Sequence, residues 1–277
     1  MTQPASNLTQ YARAFAGLFL RDLYVLRREL PAFAVRVVMN PLLFLFVFTY
    51  VMPHMSGGAA TNVSAQMAAT SGVSFSTVLL PGLMAVAIMF SGIAAVALPL
   101  AQEFGITREI DDRVMCPLPI AAVAAEKIIF SAMQSLIAAA IVFPLALLIP
   151  ATPATAHVGS WPFLIVVLIL ASLTAGALGL VIGTSVKPQQ IGLIFGVVVI
   201  PITFLGCVYY PWAALGKLPI LQHAVLINPI VYMSEGLRAA LTPMAHMPTP
   251  AILGMLCFFL AFLSWLGLKG FIRRVVS

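Results

Sequence analysis

The sequence predicts an all-α membrane protein that crosses the bilayer six times. Three observations carry this prediction. First, 62% of the 277 residues are hydrophobic and only 8% are charged, where a soluble domain averages about 25% charged residues. A soluble chain this apolar would have no face to offer water. Second, the apolar residues gather in long runs. The hydrocarbon core is about 30 Å thick and a helix rises about 1.5 Å per residue, so roughly 20 apolar residues suffice to cross it. Third, the basic residues fall almost entirely into alternate connecting segments, which is how a multi-pass protein declares its orientation.

Taken in order, residues 7–30 read as an amphipathic helix. Phe15, Phe19, Leu23, Leu26 and Leu30 recur at spacings of three or four, while Arg13, Arg21, Asp22, Arg27 and Arg28 occupy other faces. Such a helix either lies on the membrane surface with its cations near anionic headgroups or is an ordinary N-terminal cytoplasmic helix. More than 30 residues precede the first apolar run, too many for the n-region of a cleavable leader. Spans are expected near 34–53, 77–101, 123–149, 161–184, 190–209 and 250–269. Pro99, Pro144 and Pro201 fall inside them, where proline is tolerated and marks kinks.

One set of connecting segments carries twelve of the 14 Lys and Arg residues, and the other carries only Lys217 and Arg238. The biased side is cytoplasmic. Both termini are therefore expected inside, at the cytoplasmic (inner or plasma) membrane of what reads as a prokaryotic protein. The 54–76 and 210–248 segments are expected outside. The net charge of +6 reflects this orientation; no nucleic-acid partner is expected.

Between the second and third spans lies a charged island. Glu103, Arg108, Glu109, Asp111, Asp112, Arg113, Glu126 and Lys127 include five of the chain's eight acids. Arg108 to Met115 suffices for two helical turns, with Ile110 and Val114 as an apolar edge and Pro117 and Pro119 as a stop. The island is either a docking helix that passes force to the two flanking spans or a solvated loop that sets topology.

The 210–248 segment is too apolar for a free loop and too often broken, at Pro211, Pro219, Pro229 and Pro243, for a full span. It reads as short helices dipping back into the outer leaflet, which requires burial in protein or a wet cavity. Glu235 and Arg238, three residues apart, are placed to pair on one helical face.

The span cores carry no Asp, Glu, His, Lys or Arg, which disfavours a proton- or ion-coupled transporter and an ion channel. No G-x-x-x-x-G-K-[ST] stretch occurs, so the chain holds no P-loop. Cys116, Cys207 and Cys257 are far apart and fit apolar filler. His54, His157, His223 and His246 are scattered, with no carboxylate at metal-ligand spacing. The chain reads as a transport machine that is not itself an enzyme, with no metal or cofactor of its own, whose energy must enter from another subunit.

These features together resemble the permease subunit of ABC-2-type transporters, over nearly the whole chain. Asn228-Pro229-Ile230-Val231-Tyr232-Met233-Ser234-Glu235-Gly236-Leu237-Arg238 is similar to the family's N-P-[LI]-x-Y-x-x-E-x-[LI]-R stretch. Phe204 to Pro211 resembles its F-L-S-G-x-x-[FY]-P stretch at the end of the fifth span. Glu103, Gly105, Thr107 and Pro117 keep the order of the family's coupling element, with Ile106 intervening between Gly and Thr. The resemblance implies a coupling helix over 103–117, drawing on Glu103, Gly105, Thr107, Arg108, Glu109, Asp111, Asp112 and Arg113. It also implies two cytoplasmic P-loop ATPase subunits that bind ATP and Mg²⁺, and a second permease, expected to be an identical copy.

The expected cargo is a hydrophobic or amphiphilic compound, drug-like or lipid, because polar residues are scarce in the spans. Phe204, Tyr209, Tyr210 and Trp212 near the outer mouth are either part of that path or an ordinary interfacial belt. A polysaccharide or lipid-linked saccharide is the alternative cargo. A secondary transporter or a lipid-modifying membrane enzyme is the alternative class. Gly179 with Gly183, and Gly192 with Gly196, form G-x-x-x-G spacings suited to close helix packing within or between subunits.

Overall fold

A computed structural model of the chain describes residues 4–47, 75–107, 118–148 and 157–276. All regular structure among them is helical. Helix α1 (Pro4–Arg28) is separated from α2 (Leu30–Phe46) by a turn at Glu29. Helix α3 (Phe75–Gln102) runs on into a π-helical turn, Glu103–Thr107. Then come α4 (Ile120–Leu148), α5 (Trp161–Ser185) and α6 (Ile191–Phe204), the last with a π-helical middle over Phe195–Val199. Short pieces follow: a 3-10 helix at Trp212–Lys217, α7 (Pro219–Ala224), a 3-10 turn at Val225–Ile227 and α8 (Pro229–Leu241). Helix α9 (Thr249–Val276) closes the described chain.

Four helical stretches are long and apolar enough to cross a membrane: Ser76–Gly105, Ile120–Leu148, Trp161–Ser185 and Thr249–Val275. At about 1.5 Å per residue each exceeds the roughly 30 Å hydrocarbon core. They coincide with the expected second, third, fourth and sixth spans. The other two expectations meet shorter apolar helices. Helix α2 begins at Leu30, and residues 48–53 of the first expected span lie outside the described residues. Helix α6 stops at Phe204 where the apolar run predicts helix to 209. The backbone turns at Cys207, whose φ is +51°, and Gly206, Cys207 and Val208 are buried in a non-helical stretch.

Helix α3 is the centre of the bundle. Leu79, Leu80, Leu83, Ile88, Met89 and Ile93 are wholly buried against α4, α5 and α8. Small residues set this approach. A Cβ on Gly179 would lie 3.0 Å from Ile93 Cα, and one on Gly183 would lie 3.1 Å from Ala97 Cα. The first G-x-x-x-G spacing thus serves packing within the subunit, where close van der Waals contact drives helix association. Gly192 and Gly196 meet open space.

Helices α3, α5 and α9 run one way and α4 the other. The C-terminal ends of α3, α5 and α9 meet the N-terminal turns of α4 at one end of the bundle, through Glu103, Gly183, Arg274 and Lys127. At the opposite end α8 lies across the start of α5: the His157 amide donates to Leu241 O at 3.0 Å and that of Gly159 to Ala240 O at 3.2 Å.

Candidate functional site

Two constellations stand out, one at each end of the bundle. The first is a knot around α8 that joins the two sequence stretches singled out above. Asn228 caps the helix: its Oδ1 accepts from the Ile230 amide at 3.1 Å, as N-cap asparagines do. Its Nδ2 donates to Ile202 O at 2.6 Å, tying α6 to the same cap. Pro229 occupies the first turn, where its missing N–H costs nothing. Tyr232 donates through its hydroxyl to Leu226 O at 3.0 Å and rests its ring near Phe259, with centroids 5.8 Å apart. Ser234 donates to Gly206 O at 2.8 Å.

At the heart of the knot, Arg238 Nη1 donates to Glu235 Oε1, and both residues are 0% exposed. Glu235 gathers three segments. Its Oε1 also accepts from the Trp212 amide at 2.9 Å, and its Oε2 accepts from the Met247 amide at 3.1 Å. Arg238 Nη2 donates to Cys207 O at 3.1 Å, holding the turn in place. A buried ion pair survives only when further hydrogen bonds satisfy both partners, and here they also fasten 207–212 and 247 to α8. The i,i+3 pairing expected from the sequence is present. Its burial and its three backbone partners were not legible there.

Helix α3 comes against the same loop. A Cβ on Gly82 would lie 1.9 Å from Val208 O, so only glycine admits this contact. Among the four aromatic residues expected near the outer mouth, Phe204 is exposed, with its ring 5.8 Å from that of Tyr209. Tyr209, Tyr210 and Trp212 are half-buried against the core. Trp212 Nε1 donates to Gln222 O at 3.2 Å.

The second constellation is the stem of the charged island. Glu103, Gly105 and Thr107 lie in the π-helical turn that extends α3. Arg108, Glu109, Asp111, Asp112 and Arg113 lie outside the described residues, as does the rest of the expected coupling helix to 117. Lys127 Nζ donates to Glu103 Oε1 at 2.9 Å, with both side chains about 5% exposed. Glu126 beside it is wholly buried. Phe104 sits under the Arg274 guanidinium at 4.7 Å and meets the Phe271 ring edge-on at 6.0 Å. Arg274 Nη1 reaches the carbonyls of Gly183 (3.1 Å), Thr184 (3.2 Å) and Val186 (2.8 Å). A cation there answers the unpaired carbonyls and partial negative charge at the end of α5.

The stem is therefore held from three sides, by α4 through Lys127, by α9 through Phe271 and Arg274, and by α5 through the carbonyls that Arg274 shares. In the sequence Lys127 counts toward the charged island and Arg274 toward orientation; nothing in the local pattern signals their partners.

Comparison with known proteins accords with this arrangement. The ABC-2 type transporter family matches residues 13–242. The chain is 28% identical over 192 residues to proteins named "Inner membrane transport permease YadH" from Escherichia coli strain K12 and from Shigella flexneri, covering 68% of this chain and 72% of each relative. The family match runs from α1 to the end of α8, and on that extent the chain belongs to the ABC-2 type transporter family, as one of its transmembrane permeases.

Proposed function

We propose that this chain is the membrane half of an ATP-driven exporter in the inner membrane, working with a separate cytoplasmic ATPase in two copies and a second copy of itself. The observation that carries the reading is the family membership over 13–242, which places the island between two helices of a transporter domain. The stem geometry supports it: Glu103 and Phe104 are tied to three helices at once. In this reading six passes put both termini and the island in the cytoplasm, and α2 and α6 complete the count. ATP and Mg²⁺ bind the partner, whose closure pushes on the island. The cargo is an amphiphile or a hydrophobic compound. The relatives' name, inner membrane transport permease, supports the location.

The test is co-purification followed by vesicle transport. The chain is expected to bring down a P-loop ATPase, and inside-out vesicles holding both are expected to accumulate amphiphilic dye only with hydrolysable ATP. Uptake driven by an ion gradient with no ATPase bound would overturn the reading.

A further inference from the structure

Helix α9 turns a ladder of aromatic rings away from the bundle. Phe258, Phe262 and Trp265 are 55%, 46% and 58% exposed. The Phe258 and Phe262 rings are parallel to within 6°, with centroids 5.9 Å apart, and the Trp265 ring follows at 6.5 Å. One turn further on, Lys269 Nζ lies 5.4 Å from the centre of the Trp265 ring. Arg273 is exposed another turn along. Spacings of three and four residues keep all five on one stripe of the helix.

The ladder occupies only one half of α9. From Phe258 to Lys269 the helix rises about 16 Å, at about 1.5 Å per residue. That is about half of the roughly 30 Å hydrocarbon core, the depth of one leaflet. Toward the other end the outward residues include Ala251, Gly254 and Cys257, which are small. An interfacial aromatic belt sits at headgroup level. Rings that run from a cation to the middle of the helix match the reach of a single acyl chain instead.

Charge selects the lipid. Helix α9 carries Lys269, Arg273 and Arg274 and no carboxylate. Arg274 reaches inward to the carbonyls at the end of α5. Lys269 and Arg273 stay outside, and neither has a carboxylate partner among the described residues. Two outward cations one turn apart, at the end of an apolar ladder, complement a headgroup with net negative charge.

We propose that this face holds one anionic phospholipid, with its phosphate between Lys269 and Arg273 and an acyl chain along Trp265, Phe262 and Phe258. The cations draw the headgroup, and the rings give the chain dispersion contact along its length. The lipid lies in the leaflet at the island end of the bundle, where Phe271 and Arg274 of the same helix meet Phe104 of the stem. The proposal needs only that α9 crosses the membrane, so it stands apart from the exporter reading.

The test uses the full chain in phosphatidylcholine nanodiscs in which a minor share of the lipid carries bromine on its acyl chain. Bromine quenches tryptophan fluorescence on contact. Brominated phosphatidylglycerol is compared with brominated phosphatidylcholine of the same chain length. The chain holds three tryptophans, so the Trp265 signal is taken as the difference between the unsubstituted chain and Trp265→Phe. At equal mole fraction phosphatidylglycerol is expected to quench that signal about fivefold more strongly. Lys269→Gln combined with Arg273→Gln is expected to remove the excess and leave the melting temperature unchanged. Should that variant not fold, salt decides: high ionic strength is expected to shrink the excess in the unsubstituted chain. Equal quenching by both lipids, or an excess that survives both the substitutions and the salt, would mean ordinary bilayer contact and would overturn the proposal. Cys257, beside Phe258, is exposed. Efficient crosslinking of Cys257 between two chains would show that a second copy covers the ladder, and would equally refute the lipid.

Discussion

Lys127 Nζ lies 2.9 Å from Glu103 Oε1, closing a loop of sequence separation 24 whose middle is the charged island. Both side chains are buried, so removing one leaves a charge stranded in low dielectric, at a cost of about 3–5 kcal/mol. Lys127→Ala is expected to lower the melting temperature of the detergent-solubilised protein sharply. Glu103→Gln combined with Lys127→Met is expected to recover most of the loss. A double variant no more stable than Lys127→Ala would show that the pair does not act as a unit.

The island itself is predicted to be a docking element. Charge reversal at Arg108, Glu109 and Arg113 is expected to weaken pull-down of the ATPase partner, or to leave hydrolysis running without transport. Membrane insertion, read by fractionation, is expected to stay unchanged. Full transport by the triple reversal would return the island to a topological role alone.

At the other end, Glu235→Ala and Arg238→Ala each strip one partner from a wholly buried pair and are expected to cost about 3–5 kcal/mol. Arg238→Lys is expected to be nearly as damaging. Lysine's compact ammonium lacks the planar fork that lets Arg238 reach Glu235 and Cys207 O together. Size-exclusion profiles and thermal melts of the three variants would reveal a tolerant Arg238→Lys if this view of the fork is mistaken.

The turn at Cys207 makes a prediction of opposite sign. Its φ of +51° is glycine territory, and the family pattern this stretch resembles carries glycine there. Cys207→Gly is expected to fold despite losing a buried side chain. Cys207→Val, β-branched at positive φ, is expected to be about 1–3 kcal/mol worse. Gly82→Ala is expected to be the most severe of the set, since its Cβ would overlap Val208 O. The ranking of the three melting temperatures is the check.

What the sequence made legible were features encoded locally. Helices α3, α4, α5 and α9 follow from the length of their apolar runs, and the Glu235–Arg238 pairing follows from helical spacing. Helix α6 was overextended because hydropathy reports burial and cannot distinguish a buried helix from a buried loop. Residues Gly206 to Val208 are such a loop, held by α8 from outside their own sequence. The anchors of the stem were hidden for a similar reason. Arg274 meets its carbonyl acceptors across sequence separations of 88 to 91, and no periodicity records a contact that distant.

The π-helical turn Glu103–Thr107 gives the stem a degree of freedom that an α-helix lacks. A π turn holds one residue more than the α turn it replaces. That extra residue shifts the helical register at the end of the stem by about 100°, one helical step, while Glu103 stays paired with Lys127.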